Sequence, residues 1–207
     1  MGNYKVKIPT EAGEVETLAD ILPENGAPLR VLFIAKTPAP VSVAAGHYFQ
    51  GRQGKAFWNK LAEYSILKVP EGEFEDDHLL ENEYGITDVV KVPRAYGNEP
   101  CDKEYRSGSE HIMNLIKTHS PKVLFFVYKR VLYQILELGF DIKEKSSYGF
   151  NPHLESEFGA KVFVFPMPGT PLPKRNSTSI HGRITIVPGR IEGCRVGYDP
   201  PPSKLGL

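Results

Sequence analysis

Three stretches of the chain are continuously apolar rather than alternating: VLFIA at 31–35, the centre of KVLFFVY at 122–128, and the centre of AKVFVFP at 160–166. Strands buried on both faces, as in a parallel sheet with helices over each side, read this way. A fourth segment, ITDVVKVP at 86–93, is β-branched and closes on a proline, so it is expected as a further strand or extended piece. Between these runs the apolar period lengthens. Phe57, Trp58 and Leu61 recur at helical spacing near 54–65. Ile112, Leu115 and Ile116 do so in SEHIMNLIKTHS before Pro121, and Val131, Leu132, Ile135 and Leu136 in YKRVLYQILEL before Gly139. Strand and helix therefore alternate, which implies an α/β fold: a three-layer α-β-α domain around a central, mainly parallel four-stranded sheet. One such domain is expected to take up residues 1–207. Residues 1–30 read as a packing arm with one short helical turn in TLADILPENG, ended by Pro23. EGEFEDDHLLENEYG reads as a solvated acidic loop with a short helix at 76–83 that Gly85 caps.

Two strands run directly into proline-rich loops, VLFIA into KTPAP and AKVFVFP into MPGTPLPKR. In a parallel sheet both loops reach the same carboxyl edge, where ligands of open α/β sheets bind. The first connection, from Lys36 to the helix near 54, is about 18 residues long, well beyond the usual 2 to 6, and long ordered loops are commonly functional. The active site is expected there.

Composition narrows the chemistry. The chain has 207 residues, 25 basic and 25 acidic, so it lacks the global positive field of many nucleic-acid binders. The charge is unevenly spread, however. Seven carboxylates and no Lys or Arg lie between Glu71 and Glu83, whereas from Ala160 onward seven Lys/Arg face two acids, making the last quarter the face for phosphates. Cys101 and Cys194 are too few for an iron–sulfur cluster or an all-cysteine zinc site, and no cofactor or metal is expected. With no leader and no membrane-length apolar run, a reduced cytoplasmic protein is expected.

Individual residues carry a functional and a plainer reading. Thr37 follows a strand, where Thr commonly caps a turn, yet its hydroxyl could also orient a water. His47, Tyr48 and Phe49, after Gly46, could pack or could line a pocket. Asp88 is the single acid of its strand and could act as a general base if alternation turns it toward the site. Phe57 and Trp58 read as core. His181, near Arg183, reads as a solvated loop residue.

The ordered set of motifs resembles the uracil-DNA glycosylase superfamily, most closely its mismatch-specific uracil/thymine branch. AKTPA stands where that branch has Gly-Ile-Asn-Pro-Gly; GHYFQGRQGKAFW resembles its aromatic loop and Phe-Trp helix start. GITDVVKVPR resembles its Gly-Val/Ile-Thr segment, and PMPGTPLPKR its Pro-Asn-Pro-Ser-Gly-Leu motif. The resemblance covers about residues 18–176 and leaves 177–207 as a divergent extension. It implies a monomeric DNA-repair enzyme that flips a deaminated or mismatched base from duplex or single-stranded DNA and hydrolyses its glycosidic bond. In that reading Thr37 and Asp88 are catalytic, and Lys36, Pro38, Ala39, Gly46, His47, Tyr48 and Phe49 form the base pocket. Met167, Pro168, Gly169, Thr170, Pro171 and Leu172 wedge the duplex, while Lys174 and Arg175 meet phosphates. The chain departs from the branch in four places: Thr37 replaces the water-positioning Asn or Asp, Met167 stands where several branches carry a His, Lys36 has no counterpart, and the C-terminal region reads as strand and coil where the branch ends in a helix. Two other readings remain open, a DNA-binding protein of the same fold without catalysis and an unrelated enzyme of phosphorylated metabolites. Against the latter, AKTPAP lacks a glycine-rich phosphate loop and its prolines lack amide donors.

Overall fold

The computed structural model describes residues 2–95 and 97–167, together with two short strands, Ile186–Val187 and Arg190–Ile191, that pair antiparallel. Its organising element is β3 (Val31–Ala35), flanked in the sheet by β4 (Tyr84–Asp88) and β5 (Val123–Phe126), both parallel to it. Beyond β5 come β7 (Lys161–Val164), parallel, and β6 (Gly149–Phe150), antiparallel, giving the order β4-β3-β5-β7-β6. The four longer strands of this sheet are those anticipated by the three apolar runs and the β-branched segment. The fifth is a two-residue edge, too short to leave a periodic signal.

Every residue of β3 is at most 1% exposed, because both faces of the sheet are covered. Val31, Phe33 and Ala35 join a cluster with Phe57, Trp58 and Leu61 of α2 (Arg52–Glu63). Leu32 and Ile34 join the opposite cluster with Ile112 of α3 (Asp102–His119) and with Val131 and Ile135 of α4 (Lys129–Phe140). Each Val, Leu, Ile or Phe among them, fully withdrawn from water, stabilises the fold by about 1.5–3 kcal/mol before entropy is counted. Among the described residues no helix is long and apolar enough to cross a membrane.

Several local expectations are corrected. Residues 5–18 form a β-hairpin, β1 (Lys5–Thr10) paired with β2 (Gly13–Leu18), and the only helical piece nearby is a short 3-10 turn at Glu24–Gly26, after Pro23 rather than before it. Val6, Ile8 and Val15 already alternate with charged residues, a period-2 signal that the surrounding Pro and Gly obscure. The acidic segment makes two 3-10 turns, Glu75–His78 and Leu80–Asn82, and is closed by Glu83 at φ 58°, while Gly85 sits inside β4. β4 spans 84–88, not 86–93; beyond it the Val89 and Val90 amides donate to the carbonyls of Ala35 and Lys36. α3 begins at Asp102, seven residues before SEHIMNLIKTHS, with Glu104 accepting from the Cys101 amide in a capping box.

That earlier start has a packing consequence. A Cβ at Gly108 would lie 2.1 Å from the Val89 carbonyl oxygen, so only glycine lets α3 close on the segment that leaves β4.

Candidate active site

The chain leaves β3 toward β4 on one side and later returns to β5 on the other, so the carboxyl ends of β3 and β5 bound a topological switch point. The first loop begins there. It contains a helix the sequence does not announce, α1 (Pro40–Ala45), with Ala39 as its N-cap and Gly46, at φ 77°, as its C-cap. Pro38 is buried and its carbonyl accepts the Arg94 amide, which ties the loop to the segment after β4.

After Gly46 the loop is held residue by residue. His47 is buried, with Nδ1 2.8 Å from Asp76 Oδ1 and its ring stacked on Phe74 at 3.6 Å. The other Asp76 oxygen accepts the Tyr48 amide at 2.7 Å. The Tyr48 carbonyl accepts from Trp58 Nε1 and Gln50 Nε2, and the Gln50 amide donates to Ser42 Oγ. These bonds bracket Phe49, whose φ of 57° lies in the left-handed region that side chains rarely adopt. The distortion persists because its surroundings over-determine it. The turn also lies directly on α2, where a Cβ at Gly54 would come within 2.3 Å of the Phe49 carbonyl oxygen. The half-buried Phe49 ring packs on Phe57 at 4.8 Å and Trp58 at 5.6 Å and belongs to the same cluster as half-buried Tyr128 and Met167. An aromatic shelf therefore stands at the carboxyl edge, on the α2 face.

Asp88 ends β4 on that face. Its strand-mates Tyr84 and Ile86 point into the α2-side cluster, and alternation puts Asp88 with them, opposite Ala35 in the register. It is 1% exposed, and among the described residues its Oδ2 has no hydrogen-bond partner. Burial drives its pKa up to about 7, an effect that Lys91 opposes and Asp20 reinforces. Asp20 behaves in the opposite way. Its burial is outweighed by His111, Lys91 and Thr87, which hold it down at about 2. Lys91 is fixed between Asp20, the Leu18 carbonyl and the Tyr48 hydroxyl, and burial keeps Tyr48 protonated. Two carboxyls pushed apart in this way, one ionised and one titrating near neutrality, are a recognised arrangement for acid–base work.

The superfamily sequence model for uracil DNA glycosylases matches residues 23–174. The chain belongs to the Uracil DNA glycosylase superfamily. The match runs from the segment after the N-terminal hairpin, through the loop that follows β3, to MPGTPLPK in the sequence.

For this superfamily member the expected site residues divide into four groups. Asp88, Phe49 and Met167 share the α2-side cluster or its face, and Thr37, partly exposed, follows β3 at the same edge. Pro38, Ala39, Gly46 and Tyr48 are backbone and packing supports of the loop, with the Tyr48 hydroxyl donating to the Ala19 carbonyl. Lys36 and His47 are each held by an acidic partner. Lys36 pairs with Glu99 at 3.3 Å beside the α3-side cluster, because consecutive residues leaving a strand turn to opposite faces. His47 is turned inward to Asp76. The wedge and phosphate residues Pro168, Gly169, Thr170, Pro171, Leu172, Lys174 and Arg175, like His181 and Arg183, fall outside the described residues.

Sequence reasoning missed Asp76 altogether. The ligand-capable atoms of His47, Asp76 and Asp77 lie within 4.8 Å of one another, but they are engaged by protein partners, Asp77 accepting from the Gly2 amide and the Tyr4 hydroxyl. The trio is a hydrogen-bonded clamp on the aromatic loop. Burial raises the Asp76 pKa, partly offset by the Tyr48 amide and His47. A faint signal existed in FEDDH: an aromatic beside paired acids is unusual within a purely solvated run.

Proposed function

We propose that this chain is a monofunctional, monomeric DNA glycosylase that flips a deaminated or mismatched base out of DNA, hydrolyses its N-glycosidic bond and leaves an abasic site. Uracil is the first-choice base, with hypoxanthine and xanthine next. The observation that carries this reading is Asp88, a buried carboxyl titrating near 7 on the same sheet edge and face as the fixed Phe49 ring. Phe49 offers the stacking surface for the flipped base. Thr37 orients a water, for which its hydroxyl both donates and accepts. Asp88, ionised, takes the proton of that water as its oxygen bonds to the sugar C1′, and the base departs with the electron pair of the broken C–N bond and is protonated from solvent. This division of labour makes up for the absence of Asn or Asp at position 37, because a carboxyl near neutral pKa is an effective general base. Leu172 fills the gap in the duplex, and Lys174 and Arg175 hold its phosphates. Within the superfamily, the order of motifs favours the mismatch-specific branch.

Purified protein is incubated with labelled duplexes carrying uracil, hypoxanthine, xanthine or a thymine mismatch, followed by alkaline cleavage of abasic sites. Strand breaks are expected on at least the uracil duplex. Absence of breaks on every lesion sinks the enzyme, and damage-selective binding without turnover at enzyme excess leaves a binding protein of this fold. Leu172→Ala is expected to slow excision from fully paired duplex more than from single strands, where unstacking costs less.

A further inference from the structure

On the α3/α4 face of the same edge, three donors from three elements converge on one carboxylate. Lys36 Nζ, just after β3, lies 3.3 Å from Glu99 Oε2, and Arg130 Nε, in the first turn of α4, lies 3.4 Å from Glu99 Oε1. The Tyr105 hydroxyl, from α3, donates to Oε2 at 3.2 Å. Two of the donors, Tyr105 and Lys36, are better fixed than the acceptor, while the Arg130 side chain is 58% exposed. Tyr105 is 1% exposed and the Lys36 side chain a quarter exposed, whereas Glu99 is 41% exposed and sits in a run of exposed residues between β4 and α3. The neighbouring guanidinium, Arg94, is already held by Glu104 through contacts of 2.5 and 2.6 Å, so it does not compete for Glu99. The position is the mouth of the β3/β5 crevice, beside the positive end of the twelve-residue α4.

We infer that Lys36, Arg130 and Tyr105 form a seat for a single phosphate of the DNA backbone, occupied in the free protein by the Glu99 carboxylate, which DNA displaces. Two cations and one hydroxyl donor against one carboxylate leave a net positive seat, and a phosphodiester offers the same pair of acceptor oxygens. The sheet then separates two jobs: the base goes to the Phe49 side, and the strand that carries it passes the Lys36 side. This inference rests on DNA being the partner.

The test is a binding cycle on undamaged duplex at several salt concentrations, with wild type, Glu99→Gln, Arg130→Gln and the double variant, and with Glu144→Gln as a control for removing an exposed acid elsewhere. Glu99→Gln is expected to bind about three- to tenfold tighter at low salt. That gain should be lost in the Arg130→Gln background and absent from Glu144→Gln. Arg130→Gln alone should lower the slope of log K against log salt by about 1. An unchanged affinity for Glu99→Gln, or a gain that survives Arg130→Gln, overturns the seat. A second arm separates the two readings: thermal shift of Glu99→Gln with millimolar inorganic phosphate should show stabilisation that Arg130→Gln abolishes. If no variant binds DNA yet phosphate stabilises Glu99→Gln, the seat stands and DNA is the wrong source. If neither ligand binds, the seat is wrong.

Discussion

The two faces of the sheet's carboxyl edge hold comparable charges and treat them in opposite ways. On the α2 face, Asp88 is 1% exposed, one of its oxygens has no hydrogen-bond partner among the described residues, and burial pushes its pKa up to about 7. On the α3/α4 face, Lys36, Glu99 and Arg130 meet at 3.3–3.4 Å with much of their surface in water. Water screens the second group, so its ion pairs are weak and exchangeable. Water is withheld from the first, so its charge state becomes a chemical property. Burial, more than residue type, sets the two groups apart.

The sharpest way to break this contrast is Asp88→Asn. If Asp88 is the base, single-turnover excision by wild type should rise about tenfold per pH unit below 7 and then level. Asp88→Asn should fall by roughly 10²- to 10⁴-fold at pH 8 and lose that pH dependence. Stability has the opposite sign. Between 3.8, the carboxyl's ordinary value, and about 7 the folded protein holds a proton that the unfolded chain has released, so folding weakens as pH rises through that window. Asp88→Asn should flatten the decline and be the more stable protein at pH 8, by up to a few kcal/mol, measured by urea unfolding at pH 5 and pH 8. Glu99→Gln should leave both profiles unmoved.

Thr37→Ala tests whether the exposed hydroxyl between the two faces belongs with the chemistry. Loss of a positioning contact of about 1.4–3 kcal/mol predicts a roughly 10- to 150-fold slower chemical step with DNA affinity unchanged. If the rate stays at wild type while affinity drops, Thr37 belongs to the docking side.

Phe49→Ala removes a stacking surface worth about 1–3 kcal/mol and should weaken capture of the flipped base by about 5- to 150-fold, read as a higher half-saturating enzyme concentration in single-turnover assays. The smallest effect is expected from Asp76→Asn, which keeps an acceptor for the Tyr48 amide and alters the pairing with His47. About 1 kcal/mol, or roughly fivefold in rate, is expected. The single tryptophan, Trp58, which donates to the carbonyl of the residue whose amide Asp76 holds, should report the change as altered emission without any DNA. If emission is unchanged while activity falls, Asp76 does not act through the loop.

Much of the architecture was legible in the chain. Unbroken apolar runs at 31–35, 122–128 and 160–166 mark strands because two-sided burial removes alternation, and Phe57, Ile112 and Ile135 lie on the helical faces their spacing indicates. Asp88 and Phe49 were recognisable as candidates because they combine unusual chemistry with a place beside a strand end. Other features depended on contacts between distant segments, which local periodicity does not record. Asp76 looked like one acid among seven, and only its 2.7 Å bond to the Tyr48 amide, 28 positions away, makes it the clamp of the aromatic turn. Lys36 looked like a pocket residue, and only the register of β3 sends it to Glu99. Which segments are buried and which residue types follow the strands can be read along the chain, because hydrophobic period follows from local geometry. The tertiary structure alone decided which carboxyl lost its water and which ion pair kept it, because desolvation is set by what packs above a residue and not by its neighbours along the chain.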